Sequence, residues 1–203
     1  MEDPLPLAYD PKLIKKRLES FNSRQRLAFL LYCCERMFRN YVYFSQKEKW
    51  GNPEIFQRAL GIGWRVLEGD MALAGLRDLK ATCEKWTPDT NEFGSIHSSS
   101  ALDAAVSISN MLEYLQNPDI ALIMEVVSLS RDSVDMFVQE LEDMDPKDPE
   151  LEKNIQLHPL MQKELNDLSS YIDLLSKTDL NHETKSGLLI KNSRNLRKSN
   201  LNL

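Results

Sequence analysis

Glycine, histidine, paired cysteine and long apolar runs are all scarce in this chain, and each scarcity closes a class of function. Seven glycines in 203 residues leave little material for the tight hairpins of an all-β protein, whose favoured turns depend on glycine. The three histidines are His97, His158 and His182. None forms the Glu-x-x-His pair that a di-iron bundle uses, and no other spacing suits a catalytic metal. No metal and no cofactor is expected. The three cysteines are the adjacent Cys33 and Cys34 and the distant Cys83. An odd count with two neighbours makes no disulfide framework, so these residues read as small buried hydrophobes rather than reactive thiolates. No apolar run approaches the roughly 18 to 20 residues of a membrane span. The opening Met1-Glu2-Asp3-Pro4 is acidic and lacks a signal-peptide core. A cytoplasmic protein without a membrane partner is the expectation.

What is present describes a soluble globular chain, 42% hydrophobic and 28% charged. The net charge is −6, but it is unevenly placed. From Glu140 to Glu152 seven acids face Lys147 alone. Beyond Leu180, Lys185, Lys191, Arg194, Arg197 and Lys198 face only Glu183. An acidic body argues against nucleic-acid binding, which needs a basic surface to neutralise phosphates.

The apolar residues recur at helical period. Asp10-Pro11 offers an N-cap and a proline at the first helical position. Asn22 or Ser23 then caps a second helix; counted from Ser23 the capping-box position holds Arg26, so no box is expected. Leu27, Leu30, Leu31, Cys34, Phe38, Tyr41 and Phe44 form its stripe. Phe29, Tyr32 and Cys33 make the other side apolar too, the pattern of a helix enclosed within a bundle. Asn52-Pro53 starts a third helix. Gly61-Ile62-Gly63 lies inside it with no preceding strand, so it is not a phosphate loop. Further helices are read over Asp70–Trp86, from Ala101 to Leu115, from Ile120 to about Met144, and through Met161, Leu165, Leu168, Ile172 and Leu175. Ser98-Ser99-Ser100 lacks the setting of a nucleophile elbow and reads as a helix cap. Where the sixth stripe crosses Ser130 and Arg131, a polar group is expected to point inward. The fold expected is all-α, a compact bundle of six or seven main helices in one domain over residues 10–178. Residues 1–9 read as a loose arm, and 179–203 as a basic, partly disordered tail.

The run Glu35-Arg36-Met37, Asn40-Tyr41 and Phe44 resembles the E-R-M-x-x-N-Y-x-x-F signature of YjaG-type bacterial proteins, a domain-of-unknown-function family. The likeness continues through Gly51-Asn52, the Trp64 helix, Pro88, Glu92-Phe93, Ala101-Leu102-Asp103-Ala104 and Pro159-Leu160 with Glu164. It departs at Arg39, Ser99-Ser100 and Ala105, where some relatives carry proline, Tyr-Pro and cysteine. The resemblance implies an all-helical fold and brings no established reaction.

Two readings of function follow. The polar residues Glu35, Arg36, Asn40, Asp103 and Arg131 lie on or beside apolar helix surfaces. One expectation is a satisfied internal network, with Asp103 meeting Arg36 or Arg131, because buried charge must be paired. The protein would then be a non-enzymatic module that engages an unidentified protein partner. Its candidate partner surface is the acidic stretch with Glu142, Asp143 and Asp145. The other expectation is a small-molecule-binding protein or enzyme that uses the cluster as an open pocket. No catalytic residue is assigned.

Overall fold

The computed structural model describes residues 6–70, 74–180 and 199–203. Among these, every regular element is helical. The α-helices are α1 (Pro11–Glu19), α2 (Ser23–Glu48), α3 (Pro53–Glu68), α4 (Leu76–Lys85), α5 (Ser98–Gln116), α6 (Ile120–Leu141), α7 (Leu151–Leu157) and α8 (Pro159–Ser176). A 3-10 turn, Thr90–Glu92, lies between α4 and α5.

Eight α-helices among the described residues exceed the six or seven expected. The addition is α7, which begins where the acidic Glu140–Glu152 stretch ends. Its seven residues make about two turns, too short for a 3.6-residue stripe to declare itself, and Ile155 is its one buried side chain. At the chain's second helix the cap differs from expectation. Asn22 is the N-cap, its Oδ1 accepts the Gln25 amide at 2.9 Å, and the Gln25 side chain accepts the Asn22 amide at 3.0 Å. A capping box is therefore present, counted from Asn22 rather than Ser23. The serine cluster does not cap α5 either. Ser98, Ser99 and Ser100 already occupy its first turn, and the Ser98 and Ser100 hydroxyls donate to the carbonyls of Ser95 and His97.

Helix α2 lies against α3, α5, α6 and α8, and α5 against α2, α3, α4 and α6. These two therefore form the middle of the bundle. Leu30, Leu31, Cys34 and Tyr41 are fully buried. Phe38, expected with them, is only partly buried because it faces a cleft toward α3. The Tyr41 hydroxyl joins three elements: it donates to the Trp86 carbonyl at 2.6 Å and accepts the Asn52 amide at 3.2 Å. Gly51, at φ +99°, leaves room for it, since a β-carbon there would sit 2.7 Å from that oxygen. Gly63 lets α3 close on the same pair. A β-carbon at Gly63 would meet Leu31 Cδ2 at 2.6 Å and Met111 Sδ at 3.0 Å.

The apolar interior has two parts. The larger one gathers α1–α5 with the first half of α6 and the second half of α8. The smaller one holds Val134, Phe137, Val138, Ile155, Met161, Leu165 and Leu201. That last leucine belongs to the stretch 179–203 expected as a basic, partly disordered tail, of which Ser199, Asn200 and Leu201 are buried against the body. The basic residues from Lys185 to Lys198 lie outside the described residues. The arm is likewise not loose at residues 6–9. The Leu7 amide donates to Gln162 Oε1 at 2.7 Å, and its carbonyl accepts from Gln162 Nε2 at 2.9 Å and from Gln156. Among the described residues no helix is long and apolar enough to cross a membrane.

Candidate functional site

Helix α2 carries polar groups into the interior because its exposed arc is narrow. Arg36 is one of them, 2% exposed. Its guanidinium grips Glu164 of α8 with both terminal nitrogens, Nη1 at 3.3 Å, and reaches Asp167 Oδ2 at 3.1 Å. Glu164 is fully buried and also accepts the Ser130 hydroxyl of α6 at 2.5 Å. One carboxylate thus receives three donors from two other helices, the arrangement that makes a buried ion pair tolerable. The guanidinium lies 5.2 Å above the Tyr32 ring, and that ring stacks on Tyr171 at 3.7 Å and 6°. Burial works against the Arg36 cation, but Glu164, with Tyr32, Asp167 and Cys33, outweighs it and raises the titration above its ordinary value.

One turn along, Asn40 is fully buried. Its Nδ2 donates to Asn200 Oδ1 at 2.8 Å, and Asn200 Nδ2 donates to the Ser130 carbonyl at 3.0 Å. Ser130 therefore joins the two parts: its hydroxyl serves Glu164 and its carbonyl serves Asn200. The centre so formed draws on α2, α6, α8 and the Ser199–Leu203 segment.

The rest of the expected cluster lies elsewhere. Asp103 accepts the Ser133 hydroxyl at 2.8 Å. It does not pair with Arg36 or Arg131 as expected: Arg36 is committed to Glu164, and Arg131 turns outward to Asp132 and Asp135, each at 3.1 Å. Arg131 also lies 5.4 Å from the Tyr9 ring. At the Ser130-Arg131 step it is Ser130 that points inward. Glu35 faces α3 and accepts the Trp64 indole N–H at 2.6 Å. It lines a cleft of about 290 Å³ with Phe38, Arg39, Val42, Gln57 and Leu60. Burial pushes the Asp103 carboxyl up to about 6, against the Ser133 hydrogen bond, which lowers it.

Two members of the centre escaped the sequence reading, Glu164 as a partner of Arg36 and Asn200. The first left a signal: Glu164 stands three residues after Met161 and four before Leu168, on the buried face of its own stripe. The second left none, because a short polar segment after a basic stretch has no periodicity. Glu142, Asp143 and Asp145 are exposed between α6 and α7, with His158 Nε2 3.7 Å from Glu142.

The three cysteines are buried and unbridged. Burial raises all three thiols, Cys83 to about 12, which removes the thiolate that reactivity requires. Among the described residues no three His, Cys, Asp or Glu side chains gather as a metal site. His97 lies between the rings of Tyr43 at 4.6 Å and Phe137 at 5.8 Å. His158 caps α8 through Nδ1, which accepts the Leu160 amide at 3.2 Å. His182 is outside the described residues.

The sequence over residues 13–203 matches the family described as "Protein of unknown function (DUF416)". It is similar to the uncharacterized protein YjaG of Escherichia coli K12, 28% identical over 142 residues, which cover 70% of this chain and 72% of that one. An uncharacterized protein of Haemophilus influenzae is 31% identical over 100 residues, 49% of this chain and 51% of its own length. Among solved structures, a DUF416 family protein from Shewanella baltica superposes with a TM-score of 0.84 at 25% identity, covering 93% of this chain and 97% of that one.

Proposed function

We propose that this chain, which belongs to the DUF416 family of proteins of unknown function, is a non-enzymatic protein-interaction module that works in the cytoplasm as one helical unit over residues 10–178. The observation that carries the reading is where its charge is spent. Arg36 and Glu164 are closed into the interior and committed to each other, a structural use of charge. Glu142, Asp143 and Asp145 project into solvent at the α6–α7 turn. Such a turn suits a basic protein surface, where opposite charge speeds encounter and sets salt dependence. A signalling or immunity-type role is the setting in which a module of this kind would act.

Reversing the three charges, E142K, D143K and D145K together, should leave the melting curve in place and weaken capture of a protein partner from the native host's lysate. Added salt should weaken wild-type capture in the same way. Capture that ignores both changes refutes the electrostatic part of the reading.

The cleft between α2 and α3 favours a second reading, a small polar ligand held beside Glu35, Arg39 and Gln57. Turnover of a defined substrate, lost in a folded E35Q protein, would establish that reading instead.

A further inference from the structure

The Ser199–Leu203 segment is built like a ligand. Its described backbone donors bond within the segment. The Leu201 and Leu203 amides both donate to Ser199 Oγ, at 3.0 and 3.1 Å. The Ser199 amide donates to the Leu203 carbonyl oxygen at 3.2 Å, and the Asn202 amide to the Ser199 carbonyl at 3.1 Å. Asn202, at φ +65°, completes the tight turn. The segment therefore satisfies those amides itself and does not extend any helix of the body.

It meets the body through three side chains, Asn200, Leu201 and Leu203. Asn200 uses both ends of its carboxamide, accepting from Asn40 and donating to the Ser130 carbonyl. Aspartate would keep the first bond and lose the second, and would bury a charge. Leu201 enters the smaller core among Val134, Met161 and Leu165, and Leu203 packs partly buried at its edge. The receiving pocket is polar at the Ser130 carbonyl and at Asn40, which is fully buried and whose Oδ1 has no hydrogen-bond partner among the described residues. An amide pocket beside a leucine pocket reads a short sequence, Asn-Leu, in a turned rather than extended backbone.

We propose that the groove between α2, α6 and α8 is a peptide-binding site whose resident ligand is the chain's own Ser199–Leu203 turn. Tethering keeps that turn at high local concentration, so it holds the site closed against a competing segment. A competitor must offer the same chemistry, a carboxamide followed by leucine. The site reads its ligand through Asn40, Ser130 and the Leu201 pocket and not through Glu142, Asp143 or Asp145, so its test and the charge-reversal test perturb different residues.

The test uses the full chain and a labelled Ser-Asn-Leu-Asn-Leu peptide followed by fluorescence anisotropy. The N200A/L201A protein should stay helical and bind the peptide at least about tenfold more tightly than wild type, whose own turn competes. Replacing the peptide's asparagine with alanine, or adding N40A to the receptor, should abolish binding. A folded double variant that ignores the peptide overturns the proposal. So does a double variant that cannot fold, because the turn would then be an integral part of the core. A second measurement needs no variant: amide exchange in wild type. Exchange at Leu201 and Leu203 at least about a hundredfold faster than at the slowest α2 amides supports a site that opens locally. Protection equal to α2 overturns it.

Discussion

Replacing Glu164 with leucine strands the Arg36 guanidinium in the interior. Removing one partner of a buried pair costs about 3–5 kcal/mol, because the remaining charge loses its compensation. Two features set where in that range E164L should fall. Asp167 still reaches Arg36 at 3.1 Å and is itself 29% exposed, so some compensation remains. Ser130 loses its acceptor but can turn its hydroxyl back to a helix carbonyl. The lower half of the range is therefore expected, about 3–4 kcal/mol. For a chain of this length each kcal/mol moves the midpoint by about 2–4 °C, which gives a drop of about 6–16 °C. The double variant R36M/E164L removes both charges and leaves apolar groups of similar length. It loses the cation–ring contact with Tyr32, worth about 1–2 kcal/mol, but no charge is left alone. It should be more stable than E164L, and the two single losses should exceed the double loss by about 2–3 kcal/mol. Urea unfolding of wild type, both singles and the double closes the cycle. Losses that simply add, or an E164L midpoint within about 2 °C of wild type, would refute the account of this pair.

Other perturbations test the packing and the titration. At Gly63 a new β-carbon must displace the buried Leu31 side chain, so G63A should destabilise by about 1–3 kcal/mol. At Gly61 nothing lies within 4 Å, and G61A should stabilise by about 0.5–1 kcal/mol through helix propensity; chemical denaturation should give opposite signs. Asp103 titrates near 6 when folded, above its usual 3.8, so the folded state binds its proton more tightly. Stability from this group is present at pH 4 and is lost as pH rises through 6; D103N should remove that slope from the pH dependence of the melting midpoint.

The helices were legible because their apolar residues repeat and their starts are chemically marked. Asp10-Pro11 and Asn52-Pro53 show the principle, since each pairs a capping side chain with a proline that already holds the helical φ. The stripe on α2 likewise announced enclosure on both sides. What a stripe does not carry is the partner across the interface. Arg36 and Asp103 both stood out as charges near apolar surfaces, yet period alone does not say which helix each will face. Glu164 and Ser133 were chosen by rotations of α6 and α8 that only the packed bundle sets. Asn200 was beyond reach for a different reason. Its order comes from a pocket assembled by α2 and α6, and nothing within its own neighbours in sequence forecasts that pocket.

The chain's three tryptophans, Trp50, Trp64 and Trp86, all belong to the larger interior. Trp50 meets Trp86 at 5.9 Å and Phe93 at 5.2 Å, while the Trp64 indole is fixed on the Glu35 carboxylate. The smaller interior, of which Leu201 is a member, contains no indole among the described residues. Tryptophan emission is therefore a reporter for one half of the molecule. A spectrum that stays native while amides near Leu201 exchange would signal release of the Ser199–Leu203 turn from an otherwise intact bundle, and optical and exchange measurements together would resolve the two halves.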